Sequence, residues 1–139
     1  QRAWVLPRVK ELHWTAVVVD FRSRQVVFAD SQQREGAAVV RRACALLEVV
    51  HQALEGRPAD FAGWRCGSLG AASPRQPDEY TCGVFVLQLA RCLHHGVRIS
   101  REPPWTHEQL DAQRDLIAAE LVRGRVLSTV TSALSVRHR

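Results

Sequence analysis

Gln76-Pro77-Asp78-Glu79-Tyr80-Thr81-Cys82-Gly83-Val84-Phe85-Val86-Leu87-Gln88-Leu89-Ala90-Arg91-Cys92-Leu93 joins a turn-rich loop to a run that is apolar nearly all round. The run opens at Cys82 and stops at Gly96. Its β-branched residues would suit a buried strand, but its length and the closing glycine predict a helix, and an apolar helix belongs in the core. The chain is thus organised around a central helix whose first residue is a thiol.

Working outward from that helix, the N-terminal side reads as strands. Trp4-Val5-Leu6 is a short strand stopped by Pro7, and Trp14 to Val19 and Gln25 to Ala29 are β-branched apolar runs joined through Asp20-Phe21-Arg22-Ser23-Arg24, a plausible hairpin connection. From Gly36 to about Leu54, Val39, Ala43, Leu46, Leu47, Val50 and Leu54 recur at helical spacing, which predicts an amphipathic helix packed on the sheet. Gly56-Arg57-Pro58 ends it, Phe61 to Cys66 reads as a further short strand, and Gly67 to Glu79 as a loop. Beyond the central helix, Thr106 is a good N-cap for a second helix from His107 to about Val122, with Leu110, Leu116, Ile117, Ala118 and Leu121 as its apolar residues.

A chain of 139 residues, 46% of them hydrophobic, is long enough for one domain with its own core. The formal charge of +5 comes mainly from arginine, Lys10 being the only lysine. Those arginines are scattered, no aromatic-interleaved basic strand or reading helix appears, and nucleic acid is not expected as a direct substrate. Cys44, Cys66, Cys82 and Cys92 are 22, 16 and 10 residues apart, without the paired spacing of a zinc or redox motif. No metal or cofactor is expected, and free thiols suit a reducing, intracellular setting. Neither a leader nor an apolar run long enough for a bilayer is seen, so no membrane role is expected.

Four residues in this layout form the parts list of thiol catalysis. A cysteine is a useful nucleophile only as thiolate, and Cys82 opens a helix, where unpaired N–H groups and the macrodipole favour negative charge. Gly83 beside it lets a substrate backbone approach closely. His13 at the start of one strand could take the thiol proton, Asp30 at the end of the next could hold the imidazole tautomer, and antiparallel neighbours can bring such residues together. Gln76, six residues before Cys82, is a neutral donor that could complete an oxyanion hole with the Cys82 backbone N–H. Taken singly, each has a plainer role: a core thiol, a strand-end histidine, a turn aspartate, a solvated loop amide. Cys44, Cys66 and Cys92 read as structural, and His51, His94, His95 and His107 as surface or packing residues.

These residues resemble the ubiquitin-like-protein-specific cysteine proteases, also called sentrin-specific or SUMO proteases, which are related to the adenovirus protease. The matching text is Leu6-Pro7, His13-Trp14, Val17-Val18-Val19-Asp20, Phe28-Ala29-Asp30-Ser31, Gly63-Trp64, and Pro74-Arg75-Gln76 leading to Cys82-Gly83-Val84-Phe85. The combination of His-Trp, Asp-Ser and Gln followed six residues later by Cys-Gly is specific where each dipeptide is weak. The resemblance implies an α+β, papain-like fold of the adenovirus-protease and SUMO-protease type, with a small mixed sheet packed on the central helix. It implies a catalytic domain over residues 1–127, the C-terminal part of a longer one, and a tail over 128–139.

By the same resemblance, His13 is the base, Asp30 its orienter, Cys82 the nucleophile and Gln76 the oxyanion side chain, while Trp14 and Gly83 border the channel for a modifier's C-terminal Gly-Gly. The implied activity is thiol-dependent isopeptidase or endopeptidase cleavage after that Gly-Gly, through a thioester. SUMO comes first among the implied ubiquitin-like partners, together with its conjugates, in the nucleus or cytoplasm. An acetyltransferase using the same three residues, and a catalytically silent modifier-binding remnant, are the alternatives. Thr81 departs from the aspartate that SUMO-cleaving members commonly carry before the nucleophile, and the helical region that precedes the family's first strand is absent from this text.

Overall fold

In the computed structural model, residues 3–76, 78–97 and 108–126 are described, with the side chains of 108–112 excepted. The elements run β1 (Ala3–Lys10), β2 (His13–Asp20), β3 (Gln25–Ala29), α1 (Ala37–Glu55), β4 (Arg65–Ser68), α2 (Cys82–His94) and α3 (Glu108–Arg123), with a short 3-10 turn at Gly70–Ala72. One sheet has the order β1-β2-β3-β4. The first two pairings are antiparallel and β3–β4 is parallel, so α1 is the crossover between them. Mixed sheet and packed helices make the α+β arrangement expected from the sequence.

β2 explains why the sheet sits in the middle. Every residue from Thr15 to Asp20 is buried, as a strand covered on both faces requires. Because side chains alternate along a strand, Ala16 and Val18 join Ala29, Phe85, Val86, Leu89 and Cys92 in a core beneath α2. Val17 and Val19 join Val26, Phe28, Val40, Ala43 and Leu47 in a core beneath α1. Gly36, at the entrance to α1, has no room for a side chain: a methyl group there would fall 2.1 Å from the Phe28 ring.

Several elements differ from the sequence-based expectation. Pro7 does not stop β1 but lies within it, paired with Ala16. β1 is an edge strand, which has a free side where a missing N–H costs no ladder bond. The fourth strand begins at Arg65 rather than Phe61, because Phe61 and Trp64 instead stack edge to face with each other and, through Phe21, with Trp4. Gly67 and Ser68, read as loop, complete that strand. In α1 the buried stripe is Val40, Ala43 and Leu47, and Leu46 and Leu54 are exposed. In α3, Leu121 is 70% exposed, and the helix meets α2 through Ile117 and the polar residues Gln113 and Glu120 instead. Thr106, His107, Pro77 and residues 127–139 lie outside the described residues. Among the described residues, no helix is long and apolar enough to cross a membrane.

Candidate active site

β2 begins where β3 ends, and this places His13 against Asp30. His13 Nε2 lies 2.7 Å from Asp30 Oδ1, with both side chains buried. A carboxylate can only accept, so Nε2 carries the proton and Nδ1 is left as the basic nitrogen. That is the tautomer general-base chemistry needs. The turn after β3 supplies more donors to the same carboxylate: the Gln32 N–H at 2.7 Å to Oδ1 and Arg34 Nε at 2.8 Å to Oδ2. Burial opposes ionisation of Asp30, but the bonds from Arg34, the Gln32 N–H and His13 outweigh it and hold the carboxyl below the ordinary aspartate range. The stability Asp30 contributes is therefore fully present above about pH 4 and is lost as the pH falls through its folded value.

Cys82 is the first residue of α2 and is buried. The loop before it is shaped by Asp78, whose Oδ1 accepts the Tyr80 N–H at 2.9 Å, the Thr81 N–H at 2.7 Å and the Thr81 hydroxyl at 2.7 Å. This is side-chain turn chemistry, in which an aspartate satisfies backbone donors that no helix has yet engaged. Thr81 is thereby committed to Asp78. α2 also lies beside the start of β2: a methyl group on Gly83 would sit 3.8 Å from Trp14 Cδ1. Trp14 and Gly83 line one groove with Val5, Pro7, Val86, Leu87 and Ala90, about 350 Å³ in volume and almost wholly apolar.

Gln76 is buried, not a solvated loop residue. Its Oε1 accepts from the Ser31 hydroxyl at 2.5 Å, its backbone N–H donates to the Ser31 carbonyl at 2.9 Å, and its Nε2 donates to the Asp78 carbonyl. Ser31 thus fixes which way the amide faces, leaving one of the two Nε2 hydrogens beyond the Asp78 bond. The residue after Asp30 therefore links the imidazole-orienting carboxylate to the loop that leads to Cys82.

Of the residues singled out in the sequence, the structure brings His13 to Asp30, Gln76 to Ser31 and Asp78, and Trp14 to Gly83, the residue after Cys82; the parts that Ser31, Arg34 and Asp78 play in these contacts were missed. The Asp-x-x-Thr spacing of Asp78 and Thr81 was a readable turn signal; the reach of Arg34 back to Asp30 was not, since it depends on a turn of the chain. Elsewhere, Cys92 is buried and its thiol pushed up to about 11 by that burial. His51 Nδ1 lies 2.8 Å from the Arg57 carbonyl, while the His94 and His95 rings meet edge to face. Among the described residues, no three His, Cys, Asp or Glu side chains gather as metal ligands.

A sequence profile described as Ulp1 protease family, C-terminal catalytic domain, matches residues 6–124. The chain belongs to the Ulp1 protease family. Mouse sentrin-specific protease 5 is 28% identical over 123 residues, covering 88% of this chain and 16% of that protein. Human sentrin-specific protease 3 is 29% identical over 118 residues, covering 84% of this chain and 19% of that protein. Among solved structures, the Ulp1-like SUMO protease catalytic domain of Chaetomium thermophilum superposes with a TM-score of 0.68 at 32% identity, covering 94% of this chain and 49% of that one. The SUMO protease Ulp1 with its catalytic cysteine oxidised to a sulfonic acid superposes at 0.67 with 15% identity over 88% of this chain and 53% of that one, a likeness of fold. The chain thus spans about half the length of these Ulp1-family structures and less than a fifth of these curated relatives.

Proposed function

We propose that this Ulp1-family chain carries the catalytic residues of a thiol isopeptidase and endopeptidase that cleaves after the C-terminal Gly-Gly of SUMO or a related ubiquitin-like modifier. The buried 2.7 Å His13–Asp30 contact carries the reading. It is supported by the neighbours of His13 and Cys82: Trp14, next to His13, faces Gly83, next to Cys82 at the start of α2. His13 Nδ1 would take the Cys82 proton, the thiolate would attack the carbonyl after the modifier's last glycine, and His13 would protonate the leaving amine. Water, activated by the same imidazole, would then hydrolyse the thioester. Gln76 Nε2 and the Cys82 N–H would bind the oxyanion, and Trp14 over Gly83 would leave room only for residues without side chains.

In this reading residues 1–127 belong to the catalytic domain, the substrates are intracellular modifier conjugates in the nucleus or cytoplasm, and no metal, cofactor, nucleic acid or membrane takes part. The test is incubation of the chain and its Cys82→Ala variant with SUMO, Nedd-type and ubiquitin probes that end in an electrophile. A covalent adduct with one probe that vanishes in the variant is the expected result and names the modifier. A folded chain that reacts with no probe would overturn the reading.

A further inference from the structure

The two oxygens of Asp30 keep different company. Oδ1 meets His13 and the Gln32 N–H, whereas Oδ2 meets Arg34 Nε at 2.8 Å. The Asp30 side chain is 1% exposed and that of Arg34 55% exposed, so the guanidinium reaches inward from the surface to a carboxylate that water barely touches. The turn makes this reach possible. Gln33 N–H donates to the Asp30 carbonyl at 2.9 Å, and Gln33 sits in the left-handed region at φ 61°, which doubles the chain back. From the other side, Gln33 Nε2 donates to the Ser73 carbonyl at 2.7 Å and tethers the turn to the loop that leads to Gln76.

We propose that Arg34 is a positioning residue for the His13–Asp30 pair: it anchors Oδ2, so that Oδ1 alone faces the imidazole, and keeps Asp30 a carboxylate while His13 is neutral. This rests on the protease reading for its role in turnover, although the effect on Asp30 itself does not. A carboxylate rotates about its last torsion, and one charge-assisted bond from a guanidinium removes that freedom. When His13 gives up its added proton, Asp30 keeps only a neutral N–H from it, and burial then disfavours the charged form unless another cation remains. Among the described residues, the ion-pair partners of Asp30 are His13 and Arg34. The depression outside the His13–Asp30 pair is lined by Arg8, Lys10, Glu11 and Glu35 as well as Arg34, and Lys10 is engaged with Glu11 at 3.2 Å.

The test compares wild type, Arg34→Met and Arg34→Lys in the 139-residue chain by two readouts. The first is titration of the Asp30 carboxyl carbon by NMR, which needs no substrate. In Arg34→Met the carboxyl should titrate at higher pH than in wild type, and Arg34→Lys should recover part of the difference. The second is the rate at which Cys82 is labelled by the reactive modifier probe. Arg34→Met should label roughly tenfold more slowly, as loss of one hydrogen bond to a charged group allows. Its acid limb should lie at higher pH, again with partial recovery in Arg34→Lys. Superimposed Asp30 titrations in wild type and Arg34→Met would overturn the proposal. So would an equal slowing in Arg34→Met and Arg34→Lys with the acid limb unmoved, which marks a merely structural contact. If wild type itself labels with no probe, the protease reading fails while the titration still decides whether Arg34 governs Asp30.

Discussion

Against the sheet, α2 buries Phe85, Leu89 and Cys92 among Ala16, Val18 and Ala29; against α3 the same helix presents Arg91 to Glu120 at 2.9 Å and to Gln113 at 3.2 Å. Both interfaces are buried, yet they are held by opposite kinds of force. Apolar contact is non-directional and scales with the area removed from water, so it fixes that α2 lies on the sheet. A guanidinium–carboxylate bond is directional, and its Coulombic gain is largely offset by the desolvation of both charges. Buried pairs of this kind generally add little net stability, and the directionality of the bond suits it to specifying where along α2 the third helix sits. The comparison teaches that stability and placement have been assigned to different sides of one helix.

The largest effect should come from the apolar side. Phe85→Ala removes a side chain that is 0% exposed and leaves a cavity under the helix that begins at Cys82, at an expected cost of about 3–5 kcal/mol. Chemical denaturation followed by circular dichroism measures it. A loss under 1 kcal/mol would mean that the α2–sheet contact is not the main core.

The polar side breaks differently. Glu120→Leu leaves Arg91 buried without that carboxylate and should cost about 3 kcal/mol, whereas Arg91→Met combined with Glu120→Leu should return to within about 1 kcal/mol of wild type or exceed it. Recovery in the double variant is the signature of a pair retained for placement. If the double variant is as unstable as the single one, the ion pair is a true source of stability and the contrast between the two sides of α2 collapses.

The same contrast explains what could be read from the sequence. The apolar side was legible, because the run from Val84 to Leu93 and the β-branched stretch Val17-Val18-Val19 are long and bounded by turn residues. The His13–Asp30 contact was legible for a related reason: the two residues stand at the ends of two such strands, and antiparallel pairing of neighbours dictates their approach. Pairings made by isolated polar residues were not. Arg91 with Glu120 spans 29 residues, Ser31 with Gln76 spans 45, and no periodicity encodes either. Leu121 failed for the complementary reason. Helical spacing puts Leu121 on one face of α3 with Ile117, but does not reveal that Glu120, one position earlier, is the residue that docks while Leu121 stays at the exposed edge of a groove.

That failure supplies the smallest effect. If α3 is placed by Arg91 and Glu120 with Ile117 as its buried apolar contact, Leu121 contributes little, and Leu121→Gln should change stability by no more than about 0.5 kcal/mol. Leu121 borders a shallow groove together with Leu87 and Ile117, so the substitution also asks whether that apolar edge is part of the α2–α3 contact. A thermal unfolding midpoint within a degree or two of wild type would keep placement with the ion pair. A drop comparable to that of Glu120→Leu would show that α3 is held by an apolar edge after all, and Arg91 and Glu120 would then merely accompany it.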